Sequence, residues 1–139
     1  MRFRKCGSRW IVRIDRGEEL VETLGRFCSE QKIGAASVSG IGAADRLVLG
    51  YFETAVKQYH SVERTGDHEI TSLCGNVSTL EGRVYLHLHA TVSDTACRAF
   101  GGHLSSARIS GTCEVVVDPL EGAIGRKFDP EVGLNVLDF

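Results

Sequence analysis

The sequence predicts a single α+β domain, in which a large, mainly antiparallel or mixed β-sheet wraps on one principal helix at about residues 17–33. Three observations predict this class. Only one segment repeats its apolar residues at helical spacing. Most of the chain after Gly34 consists of β-like runs bounded by turn residues. Residues 1–139 suffice for one substantial core, and no linker, repeat or low-complexity stretch divides them.

A short strand and the helix are the first predicted elements. Arg9–Ile14 is rich in aromatic and β-branched residues and is expected to be a strand. Asp15 is placed to cap the following helix, with Glu18 reaching back to it, and Gly34 is placed to end it. The apolar positions that define the helix are Leu20, Val21, Leu24, Phe27 and Cys28. This amphipathic pattern predicts a helix that covers one face of the sheet.

Turn residues divide the rest of the chain into predicted strands. The cluster Thr65-Gly66-Asp67 is expected to form a hairpin turn, and Glu81-Gly82 to lead into the following strand. Ser93–Gly102 is expected to be a polar loop, Gly111 to bend the last long strand, and Asp118-Pro119 to end it. Strands are predicted at Ala36–Ile41 and Arg46–Glu53 (joined around Gly40 and Gly42), Lys57–Glu63, Glu69–Val77, Val84–Val92, His103–Val117 and, at an edge, Gly133–Leu137.

Composition and charge exclude several functional classes. A net charge of −2 supplies no general attraction to nucleic acid or to an anionic membrane. No apolar run approaches the roughly 18 residues of a membrane helix, and no secretory signal is expected after the basic start. The five cysteines lack a Cys-x-x-Cys pair, which indicates free thiols in a reducing compartment. The predicted location is the cytoplasm.

The segment Val84–Val92 carries the strongest chemical signal. It alternates strictly between apolar and polar residues, so His87 and His89 are predicted to lie on the same face of one strand. His103 follows Gly101-Gly102 and is expected to supply a third imidazole from a glycine turn. Zinc with three protein ligands keeps a fourth position for water or substrate. Zn²⁺ is therefore the predicted cofactor, although other divalent transition metals also accept nitrogen ligands. The alternative is a polar strand face in solvent or at a subunit interface.

A catalytic site would also need an acid or base near the open metal position. The candidates are Glu69, Tyr85, Thr91 and Asp94, of which Glu69 is preferred. The alternative for Glu69 is a solvated or salt-bridged carboxylate, and Asp94 is expected to cap a loop. Metal bound by imidazoles is expected to be lost as the pH falls through the histidine range.

Ligand binding is assigned to Gly101, Gly102 and Thr91. The two glycines are expected either to let the backbone approach the metal or ligand closely, or to form a turn with positive φ. His60 and His68 have no partner at ligand spacing and are predicted to be ordinary surface or half-buried residues.

A local basic cluster lies near the start of the chain, at Arg2, Arg4, Lys5, Arg9, Arg13 and Arg16. A nucleic-acid surface would need these side chains on one face. The favoured alternative is the solvated face of an edge strand, where charge discourages strand-to-strand aggregation.

The sequence resembles the PPC (plants and prokaryotes conserved) domain family. The resemblance rests on Leu86–Asp94 followed by Gly101–Leu104, with support from Ser39–Ala43, Leu49–Phe52 and Glu69–Gly75. It implies an α+β fold and a homotrimer, in a family often labelled DNA-binding. Plant members carry an AT-hook with an Arg-Gly-Arg-Pro core beside the domain. This chain has no such tetrapeptide, so direct DNA binding is not expected.

A more distant resemblance bears on the chemistry. His-x-His followed by Gly-Gly-His is similar to the zinc-ligand pattern of acetolactate decarboxylases, which implies His87, His89 and His103 as ligands. The other catalytic side chains of those enzymes have no clear counterparts here, so the activity does not follow from the resemblance.

Three functional hypotheses follow from the sequence. The first is a metal-dependent enzyme or small-molecule sensor that binds or transforms a small carbonyl or carboxylate ligand. The second is a DNA-associated regulatory protein, and the third is a trimeric interaction scaffold.

Overall fold

The computed structural model describes all 139 residues as eight strands and one short helix, an architecture consistent with the predicted α+β class. Their order is β1 Arg2–Cys6, β2 Arg9–Asp15, α1 Leu20–Glu30, β3 Ala36–Glu53, β4 Gln58–Leu80, β5 Arg83–Ser93, β6 Ala99–Pro119, β7 Gly125–Asp129 and β8 Leu134–Asp138. One sheet contains every strand, in the order β1-β2-β6-β3-β4-β7-β8, with β5 paired to both β4 and β6. There is only one helix, and most of the chain is β-strand.

The start of α1 differs from the prediction. The helix begins at Leu20, and its N-cap is Glu19, whose side chain accepts a hydrogen bond from the backbone N–H of Glu22. Asp15 does not cap the helix. Its own backbone N–H donates to Glu18 Oε2 at 2.8 Å, so the predicted reach-back forms in the turn before the helix. The N-cap therefore lies about one turn later than the capping-box pattern predicts.

The end of α1 also differs. The helix ends at Glu30, and the left-handed residue that follows its C-cap is Lys32 at φ 56°, not Gly34. The N–H of Ile33 donates to the carbonyl of Cys28 at 2.9 Å. The N–H of Lys32 donates to the carbonyl of Ser29 at 3.1 Å. These two bonds form a Schellman motif, which satisfies the last carbonyls before the chain reaches the glycine.

The predicted hairpin around Thr65-Gly66-Asp67 is wrong. Gly66 has φ +93° but lies inside β4, at a register shift opposite Ala44–Arg46 of β3. β3 runs beside nearly the whole of β4, so both halves of β4 already have a partner and the segment bulges instead of turning. The two predicted strands before it are likewise one continuous strand, with shifts near Gly40–Gly42.

The long strands bend and close upon themselves. β3 pairs with β4, β4 with β5, β5 with β6 and β6 with β3, all antiparallel. α1 packs against β5 and β6 and buries its apolar face there. The largest fully buried side chains include Ile14, Leu20, Leu24, Phe27, Leu47, Ile70, Leu73, Leu88, Val92, Ile109 and Val115. Alternate residues of β5 belong to this core, so the residues between them must face outward.

The C-terminal segment forms a hairpin. The predicted edge strand is β8, and its partner β7 was not predicted. β7 joins the main sheet through a parallel pairing of Gly125 with Thr79 of β4. This hairpin brings Arg126 to the outward face of the sheet beside β5.

The five cysteines are unpaired: Cys28 and Cys113 are buried, and the other three are exposed. Burial raises the pKa of both buried thiols to about 12, so they behave as core residues. The only helix, with its 11 residues, is too short to cross a membrane.

Candidate metal centre

Three histidines converge on the outward face of the sheet. His87 and His89 are two residues apart on β5, and His103 on β6 lies directly opposite His89. The ring centroids are 5.3 Å apart for His87 and His89, 5.3 Å for His87 and His103, and 5.5 Å for His89 and His103. One ligand atom from each ring lies within 4.8 Å of the others.

His103 is held by strand pairing and not by the predicted glycine turn. Gly101 and Gly102 belong to β6, and neither has a positive φ. A Cβ on Gly101 would lie 2.6 Å from the carbonyl oxygen of Ala90, and one on Gly102 would lie 2.6 Å from that of Gly50. The glycines therefore allow close packing of neighbouring strands, which fixes His103 opposite His89.

An aromatic side chain borders the cluster on the side of β3. His103 pairs there with Gly50, and a Cβ on this glycine would lie 2.6 Å from the Tyr59 ring. The missing side chain leaves space for Tyr59, whose ring meets that of His103 edge-on at 5.9 Å. Tyr59 thus limits the movement of the His103 ring.

Arg126 borders the cluster on the opposite side and was not identified from the sequence. Its Nη2 lies 3.4 Å from His87 Nδ1 and donates to Asn76 Oδ1 at 2.9 Å. Its guanidinium carbon lies 4.9 Å from the Tyr85 ring centroid. The signal for it was the turn-forming run Asp129–Gly133, which indicates a hairpin with strands on both sides.

The surroundings favour neutral imidazoles. Burial is the main cause that lowers the pKa of His87, and the nearby charge of Arg126 lowers it further. Burial also lowers the pKa of His103, with a smaller contribution from His89. Neutral imidazole is the form that binds a metal ion.

The donor set fits a divalent transition metal. Three imidazole nitrogens suit zinc, copper, nickel or iron, and no carboxylate or thiolate belongs to the cluster. Two nitrogen ligands of tetrahedral zinc are about 3.3 Å apart. Small side-chain rotations would bring atoms now within 4.8 Å to that separation. His87, His89 and His103 would hold such an ion from two paired strands and leave a fourth position free.

The remaining candidate site residues lie at increasing distances from the cluster. Thr91 is exposed, and it is the next outward-facing residue after His89 on β5, opposite Gly101. Glu69 is exposed and pairs with Ser93. Ser93 is four residues beyond His89, a separation of about 13 Å along a strand. Within one chain, Glu69 therefore does not lie beside the three imidazoles.

The other polar candidates have local roles. Asp94 accepts hydrogen bonds from the backbone N–H groups of Ala96 and Arg98 and pairs with the Arg98 side chain, as expected for a loop cap. His60 lies 3.0 Å from Glu53 Oε2, and His68 is buried with its Nδ1 2.7 Å from a backbone carbonyl. Neither histidine belongs to the cluster.

The basic cluster lies on the β1–β2 edge of the sheet, as the favoured interpretation expected. The register puts Arg2 opposite Arg13, and Arg9 on the same face. Acidic partners offset much of their charge: Arg13 donates to Asp15 at 3.0 Å, and Arg9 to Asp118 at 2.9 Å.

Solved structures closely resemble this fold. A "putative dna binding protein" from Bacteroides thetaiotaomicron VPI-5482 has 39% sequence identity and a TM-score of 0.96, covering 99% of this chain and 96% of that one. A "metal-containing protein" from Archaeoglobus fulgidus has 36% identity and a TM-score of 0.90, covering 100% and 99%. A Staphylococcus aureus protein of unknown function, similar to alpha-acetolactate decarboxylase, has 12% identity and a TM-score of 0.55, covering 84% and 53%. The last similarity concerns the fold alone.

Sequence comparisons identify the family. The bifunctional protein GlmU of Synechococcus sp. (strain JA-3-3Ab) is 33% identical in an alignment of 125 residues that covers 88% of this chain. This chain spans only 19% of that protein's length. The model of the Plants and Prokaryotes Conserved (PCC) domain matches residues 1–121. These 121 residues include the whole histidine cluster and all the strands that position it, and the chain therefore belongs to the Plants and Prokaryotes Conserved domain family.

Proposed function

We propose that this PCC-domain protein binds a divalent transition metal, with zinc as the first choice, through His87, His89 and His103. The observation that carries the proposal is that one ligand atom from each ring lies within 4.8 Å of the others. The similarity to an archaeal protein described as metal-containing supports it. Because the protein supplies three ligands, a small carbonyl or carboxylate compound would take the fourth position.

A metal at this site would polarise a carbonyl or carboxylate oxygen, or activate a bound water. The chain itself supplies rigid support, since two paired strands fix the three imidazoles. Thr91 and the side-chain-free Gly101 and Gly102 would border the ligand. Within one chain, Glu69 lies too far from the three imidazoles to act as a general base on a small metal-bound ligand. An enzyme and a small-molecule sensor both use such an open site.

Metal retention should depend on pH. Protons and metal compete for the same imidazole lone pairs. The pKa values of His87 and His103 lie below the ordinary 6.5, so these rings stay neutral to a lower pH than exposed histidines do. We expect metal content, measured after dialysis across a pH series, to be full at pH 7 and to fall once the pH is below the ordinary histidine value of about 6.5. Undiminished metal content at about pH 4, where free imidazoles are protonated, would contradict histidine ligation.

The stability of the metal-free protein should also decrease at low pH. Between the lowered folded-state pKa values and the unfolded value of 6.5, the unfolded chain binds more protons than the folded chain. The free energy of unfolding should therefore decrease as the pH falls through 6.5, and the effect should be absent above it.

We also propose a homotrimer. An exposed apolar strip supports it, since Ile11 and Ile41 are 41% and 59% exposed on the face that also carries Val116. Burial of such a strip against a second copy would remove it from water. Through Cys74, which pairs with His89, the strip adjoins the histidine cluster. We expect analytical ultracentrifugation to give a molecular mass of about three times the 15.1 kDa of one chain.

A DNA-associated role is the alternative function, favoured by the bacterial neighbour described as DNA-binding. Phosphate contacts would make such binding fall steeply with salt. We expect no retention on duplex DNA even at about 20 mM salt, because carboxylates already pair with Arg2, Arg9 and Arg13 on the β1–β2 edge. Salt-sensitive retention that disappears in an Arg4→Gln/Arg9→Gln variant would favour the alternative instead.

A further inference from the structure

We propose that Arg126 binds the negative charge of the ligand at the metal centre, and that the ligand is therefore a small carboxylate. This inference rests on the proposed metal function and narrows it from carbonyl or carboxylate compounds to anions. Arg126 lies beyond the residues that the family model matches, so it is a feature of this chain's C-terminal hairpin.

The guanidinium is fixed in place by uncharged groups. Its Nε donates to Ser78 Oγ at 2.8 Å, its Nη1 to the carbonyl of Asn135 at 2.8 Å, and its Nη2 to Asn76 Oδ1 at 2.9 Å. Its fourth contact is the 3.4 Å approach to His87 Nδ1. A side chain held at four points is oriented before any ligand arrives.

No carboxylate balances this charge. Arg126 is half-buried, yet none of the ion pairs in the structure includes it. Charged groups that are partly withdrawn from water are normally paired. The histidine cluster also contains no carboxylate. A divalent metal ion would add two positive charges next to that of Arg126, so the loaded site would attract an anion.

Metal binding would also free a donor on Arg126. A neutral imidazole has one nitrogen lone pair, and a guanidinium can only donate. The 3.4 Å contact is therefore a hydrogen bond when the lone pair of His87 is on Nδ1. If His87 binds a metal through either nitrogen, no lone pair remains for the arginine. The Nη2 N–H beside the centre would then be available to a ligand oxygen, together with the Nη1 N–H that has no partner in the structure.

A carboxylate ligand can bind both the guanidinium of Arg126 and the metal ion. Guanidinium binds carboxylate oxygens through paired N–H groups, and a metal accepts a carboxylate or carbonyl oxygen. A 2-oxo acid carries both oxygen types on adjacent carbons. A neutral carbonyl compound of the same size would leave the arginine uncompensated.

The experiment compares an anion with its neutral analogue on Co²⁺-loaded protein, whose visible spectrum reports on the metal. Pyruvate is the probe, and pyruvamide is the neutral analogue. The variant is Arg126→Gln, and the matched control is Lys127→Gln, which removes the same charge from the next, exposed residue. Thermal denaturation establishes that each variant is folded. Arg126→Lys is a further variant, which keeps the positive charge but lacks the planar guanidinium group.

We expect Arg126→Gln to raise the Kd for pyruvate about tenfold to a hundredfold, and to change the Kd for pyruvamide little. Arg126→Lys should show an intermediate loss, and Lys127→Gln none. The Kd for Co²⁺ should become about threefold tighter or more in Arg126→Gln, because a repelling charge has been removed. A merely structural role for Arg126 would weaken metal binding instead.

Two different failures remain distinguishable. If wild-type protein binds Co²⁺ but prefers pyruvamide, or if Arg126→Gln binds pyruvate as well as the wild type does, the assignment of Arg126 is overturned and the metal centre stands. If wild-type protein binds no Co²⁺, the proposed function fails, and the inference fails with it.

Discussion

Replacement of His103 by alanine is expected to abolish stoichiometric metal binding. The side chain is one of three nitrogen donors, and no carboxylate or thiolate in the cluster can replace it. Loss of groups that only support a ligand lowers metal affinity 10–100-fold, so loss of a ligand should weaken it more than about 100-fold. Metal content measured by mass spectrometry on tag-free protein, with Kd from chelator competition, provides the measurement.

His60→Ala is the matched control for this variant. His60 is a histidine outside the cluster, with its own partner in Glu53, and its replacement should leave metal content unchanged. The double variant His87→Ala/His89→Ala should be as deficient as His103→Ala, since one remaining imidazole cannot hold the ion. Stoichiometric metal in the double variant would refute the assignment of the ligands.

Gly75→Ala is expected to cause the largest loss of stability among single glycine replacements near the site. A Cβ at this position would lie 2.0 Å from the carbonyl oxygen of His87 and 2.9 Å from Leu88 Cα. Both atoms are backbone of the paired strand β5, so no side-chain rotation relieves the clash. We expect the free energy of unfolding to decrease by about 3 kcal/mol, measured by chemical denaturation.

The same change should displace the His87 ring and weaken metal binding in whatever protein remains folded. Gly111→Ala is the control, because its Cβ would make an ordinary contact at 3.7 Å with Ala43. It should change stability by less than about 1 kcal/mol. Equal stabilities for the two variants would show that β4 and β5 are not closely packed at Gly75.

The sequence was most informative where local patterns coincide with the tertiary environment. Strict alternation in Val84–Val92 predicts which residues of β5 face outward, and Leu88 and Val92 are indeed buried. Glu81 and Gly82 adopt φ 51° and 76°, which suits the predicted two-residue turn before this strand. Gly82 adopts a positive φ without steric cost, and the alternation of apolar and polar residues matches the two-residue period of a strand.

Other features depend on partners that are distant in the sequence. The segment Thr65-Gly66-Asp67 has the residue types of a turn, but pairing with β3 on both sides of it makes β4 one continuous strand. Gly101 and Gly102 also suggest a turn, whereas close approach of neighbouring strands explains them. The position of Arg126 depends on a hairpin that joins β4 through one pairing, at Thr79 and Gly125. Local propensity contains no information about such contacts.

The most direct test of the metal centre is a crystal structure of tag-free protein with anomalous diffraction collected on both sides of the zinc absorption edge. We expect one peak per chain, with nitrogen atoms of His87, His89 and His103 about 2.0–2.1 Å away and a fourth position occupied by water or a small anion. A metal-replete crystal with no anomalous peak between these rings, or with the ion bound elsewhere, would contradict the proposed centre.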